Sequence, residues 1–241
     1  MTRMTVSLLC IGILAATAAA EFGKPEDIPE AGRIRIDGNL SDWRRAEWTP
    51  LETTLNGNPA NISNARWSLA WDEDAVLYIA VQYDDTEIVL QDSYVNSNAQ
   101  DGVGIYVRGD TGGDPEDYST RQDSAQQYTF GLSKNRQVTW KKLGALEPFP
   151  THNPAKAVAT LEGNRFTYEI MVPLYDSFDA VNRRKCSETE VFLNEENGVE
   201  IGIDIAIVDV GKTGYAGMKA ENALTGKRTR AGQIAEHTLS D

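Results

Sequence analysis

Hydrophobic and polar residues alternate with a period of two along most of this chain. Trp67, Leu69 and Trp71 occupy alternate positions, so one face of a strand would carry all three. The acidic residues 72–74 then form a predicted turn, and the alternation resumes over residues 77–83. These two runs with a polar turn between them predict an antiparallel β-hairpin.

The same alternation predicts further strands, and turn-forming Gly, Asn and Asp residues separate them. The predicted strands are centred on residues 34–36, 103–107, 128–130, 138–140, 156–161, 166–172, 199–207 and 234–239. Helical spacing is limited to short turns at residues 40–46 and 174–178. We therefore predict an all-β fold, a single antiparallel β-sandwich of the immunoglobulin or jelly-roll kind. The polar segments 110–123 and 211–230 are predicted to be loops at the ends of the sandwich.

The predicted strand at residues 34–36 leads into a tight turn at Asp37 and Gly38. Asn39 or Ser41 is suited to cap the helical turn that follows. Trp43 would then fold back beneath the strand and fill the space under it. This segment is predicted to be the first element of the domain.

The first twenty residues have the pattern of a secretion signal and are excluded from the fold. Arg3 provides the positive start, residues 6–16 the apolar run and residues 18–20 a small-residue cleavage site. The apolar run is short for a membrane-spanning helix. We expect an exported protein, secreted or periplasmic and without membrane insertion, with a lead-in at residues 21–32 and one domain at residues 33–241.

Net charge indicates which classes of partner the protein favours, and cysteine content indicates what stabilises the fold. The formal net charge is −13, and loss of Arg3 with the signal would make it −14. An acidic surface of this size disfavours nucleic acid and anionic lipid, and it favours neutral ligands or cations. Cys186 would be the only cysteine after cleavage, so the domain must be stabilised by its core and not by an internal disulfide.

Five segments resemble, in the same order, the signatures of the family 9 carbohydrate-binding modules and their relatives in the DOMON-like β-sandwich group. These segments are residues 37–43, 71–85, 100–107, 163–174 and 232–234. The resemblance implies a β-sandwich that binds a sugar or polysaccharide without catalysis and often contains calcium. The protein partner, if there is one, is unknown.

The resemblance and the residue types together suggest candidates for sugar binding. Well-known family members clamp a terminal sugar between two tryptophans, and this chain has Asn98 at one of those positions and no aromatic residue near Thr225. Trp140 is the best stacking candidate, because it lies near a predicted strand end beside Thr139 and two lysines. Tyr128 and Gln127 offer a ring and an amide, although Tyr128 is equally suited to the core.

Carboxylates at predicted strand ends are candidate calcium ligands. Asp84 and Asp85 end one predicted strand and Asp101 begins another, so a loop could bring them together. Calcium requires six to eight oxygen ligands from several segments. Solvated turn residues are the alternative explanation, because Asp is common in turns.

Two other functions remain open at this stage. A haem-binding DOMON-like redox domain would need a His–Met pair, and the chain offers His152, His237, Met171 and Met218. A structural or interaction domain of the cell envelope would need no small ligand. We do not predict an enzyme, because there are only two histidines and no Gly-x-Ser-x-Gly elbow.

Overall fold

Two packed β-sheets form the domain. The computed structural model describes residues 27–44, 46–92, 99–109, 111, 125–143, 155–178, 186–188, 198–224 and 233–240. Its elements are β1 (Asp27–Pro29), a 3₁₀ helix (Leu40–Trp43), β2 (Thr49–Pro50), β3 (Thr53–Gly57), β4 (Ile62–Asp72), β5 (Val76–Asp85), β6 (Gly102–Arg108), β7 (Ala125–Leu132), β8 (Val138–Leu143), β9 (Lys156–Glu162), β10 (Arg165–Pro173), β11 (Tyr175–Phe178), β12 (Cys186–Glu188), β13 (Glu200–Gly211), β14 (Gly214–Ala220) and β15 (Glu236–Ser240).

The larger sheet has eight strands and the smaller one five. The larger sheet runs β1-β15-β13-β6-β7-β8, and β14 and β3 extend it beside β13. The five-stranded sheet runs β2-β4-β5-β10-β9, and β11 pairs with β12 in a separate ribbon. All pairs are antiparallel except β1 with β15. The predicted all-β sandwich is therefore confirmed.

The core lies between the inner faces of the two sheets. Trp67 and Trp71 from β4 face Ile105 from β6 and Ile203 from β13 in one buried cluster, and each is at most 1% exposed. The period of two produces this arrangement because alternate residues of a strand point to the same face. The predicted core role of the two tryptophans is confirmed.

The opening turn is held by a buried carboxylate on the neighbouring sheet. Asn39 caps the 3₁₀ helix, as predicted. Glu169 Oε2 accepts hydrogen bonds from the backbone N–H groups of Asp37 at 3.1 Å and Gly38 at 2.5 Å. Glu169 Oε1 accepts the indole N–H of Trp43 at 2.9 Å. Gly38 has φ +86°, and a Cβ there would lie 3.0 Å from Thr160 Cγ2, so a glycine is required.

Some predicted elements are wrong. Residues 34–36 form no strand, because the segment lies against the outer face of the smaller sheet, where Ile34 packs beside Trp43. Residues 175–178 are strand β11 and not a helical turn, because they pair with β12. Part of the predicted loop 211–230 is strand β14, because it hydrogen-bonds to β13 on one side and β3 on the other.

The predicted secretion signal, residues 1–20, lies outside the described residues. Within the described ranges, no helix has both the length and the apolar character needed to cross a bilayer.

Candidate functional site

Three buried aspartates converge at one end of the sandwich. Asp85 ends β5, Asp101 precedes β6, and Asp209 lies near the end of β13. One carboxylate oxygen from each lies within 4.8 Å of the other two. All three residues are fully buried. We call this group the aspartate cluster, and it joins three segments that are distant in sequence.

Backbone and amide donors fix the orientation of these carboxylates. Asp101 accepts the N–H groups of Val89 at 2.6 Å and Val210 at 2.8 Å. Asp209 accepts the backbone N–H of Asn61 at 3.2 Å and its side-chain amide at 3.1 Å. One oxygen of Asp85, Oδ1, accepts the N–H of Glu87 at 2.7 Å.

The second oxygen of Asp85 has no such donor. Asp85 Oδ2 is buried and has no hydrogen-bond partner among the described residues. Burial raises the pKa of Asp101 to about 8, and the adjacent Asp85 charge adds to this shift. Burial likewise raises the pKa of Asp85. A cation beside these carboxylates would favour the ionised forms of Asp85 and Asp101, and a hard cation fits this all-oxygen set.

Asp84 does not join the cluster. Neighbouring residues of a strand point to opposite faces, and Asp84 therefore points away from Asp85. Its two carboxylate oxygens accept hydrogen bonds from Nε and Nη2 of Arg165 at 2.8 and 3.0 Å. These hydrogen bonds lower the pKa of Asp84. The structure thus brings together two of the three predicted metal ligands and adds Asp209.

A polar row crosses the outer face of the eight-stranded sheet. Asp204 in β13 pairs with Tyr106 in β6, which pairs with Gln127 in β7. Directly opposed residues share a face, and this face is the one opposite the core. All three side chains are buried. We call these residues the outer-face row.

Two glycines lie near this row on the same face of the sheet. Gly104 lies one row away, where a Cβ would meet nothing closer than 3.8 Å. At Gly131 a Cβ would collide with the side chain of Gln100, which therefore lies over the glycine on the outer face. Both amide atoms of Gln100 and Oε1 of Gln127 are buried and have no hydrogen-bond partner among the described residues. This face therefore carries three amide atoms whose hydrogen bonds a ligand could complete.

The outer-face row is supported from the side by a small apolar cluster. Tyr106 packs there with Leu55, Ala206 and Ile234. Asn222 Nδ2 donates to Asp204 Oδ2 at 2.6 Å. Both contacts restrict side-chain rotation before any ligand arrives.

The predicted sugar-binding residues have different positions. Gln127 lies in the outer-face row, whereas Tyr128 lies in the core with 0% exposure and donates its hydroxyl to Gln126. A ring buried between the sheets presents no face to a ligand, so Tyr128 is corrected to a core residue. The backbone of Trp140 pairs with Phe130, but its side chain and all of Asn98 lie outside the described residues.

The sequence pattern did not indicate a site role for Gln100, Tyr106, Asp204 or Asp209. A detectable signal existed for the two aspartates, because each interrupts the apolar run of the longest strand. A charge in such a run requires a partner or a ligand.

Of the haem candidates that the structure describes, His237 and Met218 are not close enough to serve as an axial pair. His237 pairs with Ile201 of β13, and Met218 pairs with Val208 of the same strand. At roughly 3.3 Å per residue these positions are about 23 Å apart, too far to bind one iron from both sides. His237 is buried, and its Nε2 lies 3.1 Å from Glu221 Oε1. Met171 is in the other sheet, and His152 lies outside the described residues.

Comparisons with known proteins agree with this architecture. A solved structure of a family 9 carbohydrate-binding module from Caldicellulosiruptor kristjanssonii in complex with glucose matches with TM-score 0.57 and 16% identity, covering 89% of this chain and 95% of that one. The corresponding complex with cellotriose matches with TM-score 0.58 and 17% identity, covering 90% and 94%. A Bacteroides uniformis structure matches with TM-score 0.52 and 10% identity, covering 89% and 98%.

At these identities the structural likeness shows the fold alone. No curated protein gave a significant match. The family model described as "Carbohydrate family 9 binding domain-like" matches residues 36–229, which is most of the chain. The protein therefore belongs to the carbohydrate family 9 binding domain-like family.

Proposed function

We propose that this protein is an exported, non-catalytic carbohydrate-binding domain that holds a sugar on the outer face of the eight-stranded sheet. The observation that carries the proposal is the set of buried, unpartnered amide atoms of Gln100 and Gln127. They lie on the same face of the sheet as Gly104 and Tyr106. Export rests on the pattern of residues 1–20.

The chemistry of this face matches a saccharide. A sugar hydroxyl both donates and accepts a hydrogen bond, and a glutamine amide offers both functions. The Asp204 carboxylate can accept a hydrogen bond from a second hydroxyl. Solved relatives in this family have been described with glucose and cellotriose. Since the family's two clamping tryptophans are absent at Asn98 and near Thr225, binding here would depend more on hydrogen bonds.

The proposal includes calcium at the aspartate cluster. Asp85, Asp101 and Asp209 would supply three carboxylate ligands, with backbone carbonyls and water completing the six to eight oxygens that calcium requires. The ion would neutralise the cluster and tie the end of β5 to the beginning of β6 and the end of β13. Asp101 is adjacent to Gln100, so the ion would also fix one wall of the sugar site.

Calorimetric titration with glucose, cello-oligosaccharides and a panel of other soluble saccharides tests the sugar site. We expect a binding saccharide whose affinity falls about tenfold in Gln127→Ala, because one polar contact of about 1.4 kcal/mol is lost. Gln137→Ala, which removes an exposed glutamine in a turn, is the matched control. Trp140→Ala tests the stacking role predicted from the sequence.

Two results would contradict the outer-face site. One is binding that is equally strong in wild type and Gln127→Ala. The other is a folded protein that binds none of the saccharides in the panel. That result would favour an interaction domain of the cell envelope instead.

A further inference from the structure

A second possible ligand site lies in a cleft on the other side of the molecule. This cleft has a volume of about 490 Å³, and residues of β2, β4, β5 and β10 line it together with one residue of β14. Such a volume suits a small ligand. Three of its lining residues, Arg66, Arg165 and Lys219, are cationic, and Glu52 is the one acidic residue among the described residues that line it. This local positive charge contrasts with the net charge of −13 for the whole chain.

Arg165 is held in place by a preformed network. Its Nε and Nη2 donate to the two oxygens of Asp84 at 2.8 and 3.0 Å. Asn64 Nδ2 donates to the same carboxylate at 2.7 Å. Asn64 has φ +49° and lies where the β4–β5 register shifts between Ser63 and Arg66. The irregularity in β4 thus places the Asn64 amide against Asp84. The Asp84 carboxylate in turn holds the Arg165 guanidinium at the cleft.

The side chain of Arg66 is also held by two hydrogen bonds, but its partner is neutral. Its Nε and Nη2 donate to Gln82 Oε1 at 3.1 and 2.5 Å. Gln82 is itself held by donating to Thr167 Oγ1 at 3.0 Å. The guanidinium lies 4.5 Å above the ring of Trp48. Its charge is therefore oriented but not neutralised, because a glutamine carries no charge.

Lys219 contributes a third cation from the opposite sheet. Its ammonium group has no hydrogen-bond or ion-pair partner among the described residues. With Arg165 paired to Asp84, the unpaired lining charges are those of Arg66 and Lys219 against Glu52. The cleft therefore has a surplus of positive charge, and its rigid guanidinium groups match the planar, bidentate geometry of a carboxylate.

We propose that this cleft binds the carboxylate of an acidic sugar, such as a uronate unit, as a second subsite. A neutral sugar would have no need of this surplus charge, whereas a carboxylate would compensate it. The saccharide part of this inference rests on the proposed function, but the anion-binding part does not. The five-stranded sheet supplies most of the cleft lining, whereas the outer-face row lies on the outer face of the eight-stranded sheet, so the two sites would be occupied independently.

Titration with a galacturonate disaccharide and its uncharged methyl ester tests the cleft. The full-length mature protein should bind the acid and not the ester, and the affinity should fall about tenfold in Arg66→Gln and in Lys219→Gln. Lys156→Gln is the matched control, because it removes one positive charge from an exposed position on β9, at the far edge of the same sheet. Circular dichroism of each variant verifies folding, and the two single variants provide independent readouts.

Several outcomes would overturn the inference. These are equal binding of acid and ester, an equal loss of affinity in Lys156→Gln, or no binding of the acid by the folded wild type. Competition by inorganic sulfate as strong as by the uronate would reduce the cleft to a general anion site and overturn its saccharide part. Gln127→Ala separates the two proposals, since it should weaken neutral-sugar binding and leave uronate binding unchanged.

Discussion

The aspartate cluster should make the stability of the metal-free protein fall as the pH rises. Burial raises the pKa of Asp101 from 3.8 to about 8 in the folded state. Between these values the folded protein retains a proton that the unfolded chain has lost. Raising the pH through this window therefore favours unfolding, and the effect levels off above about pH 8.

The size of this effect follows from the same pKa difference. At about 1.4 kcal/mol per pH unit, the difference sets an upper bound of ~6 kcal/mol on the stability lost. The pKa of about 8 already includes the hydrogen bonds from Val89 and Val210. Water entry and local relaxation around the ionised carboxylate would reduce the loss, so we expect about 2 kcal/mol or more. For a domain of this size, that corresponds to a fall in Tm of at least about 5 °C.

Thermal unfolding in a chelator, measured from about pH 5 to about pH 8.5, checks this expectation. If calcium occupies the aspartate cluster as proposed, it should remove most of the pH dependence, because it would bind the ionised carboxylates and stabilise the folded state. Asp101→Asn should flatten the metal-free slope, since the amide does not titrate. Asp84→Asn is the matched control, because the pKa of Asp84 is lowered by Arg165 and its titration lies below this window.

Two results would refute this reasoning. A wild-type slope that persists in Asp101→Asn would show that another group carries the titration. A metal-free slope that calcium leaves unchanged would show that the ion does not bind these carboxylates.

Two further predictions concern other buried carboxylates. Glu169→Ala should lower the free energy of unfolding by about 3 kcal/mol, because the N–H groups of Asp37, Gly38 and Trp43 lose their acceptor. Chemical denaturation measures this loss, and a loss no larger than that of the exposed Glu162→Ala variant would contradict the prediction. Asp209→Asn should weaken calcium binding at least tenfold by calorimetry, as one charged ligand is lost. Unchanged calcium affinity in this variant would remove Asp209 from the proposed site.

The strands of the core were predictable because their signal is local. Leu77 and Ile79 on β5 point inward simply because alternate residues of a strand share a face. Strand β14 was not predictable in this way. Its residues Gly214–Ala220 are mostly small or half-exposed, and they form a strand because β13 and β3 supply hydrogen bonds on both sides.

The candidate sites show the same division. The sequence placed acids at the ends of two strands, but adjacent Asp84 and Asp85 are indistinguishable until the packing of the sheet is known. Side chains alternate between the two faces of β5, so Asp85 lies beside Asp101 and Asp209, whereas Asp84 pairs with Arg165. Gln127 was a sequence candidate, whereas Gln100 became one only because its side chain covers Gly131.

Local patterns along the chain predict the all-β class, the inward-facing residues of most core strands and the capped turn that contains Trp43, because each depends on neighbours a few positions apart. Only the packing of the two sheets shows which carboxylates form the aspartate cluster, which described amide atoms lack a hydrogen-bond partner and which cationic residues line the cleft. Those properties arise between residues far apart in the chain, such as Asp101 and Asp209, and no local pattern encodes the distance that separates them.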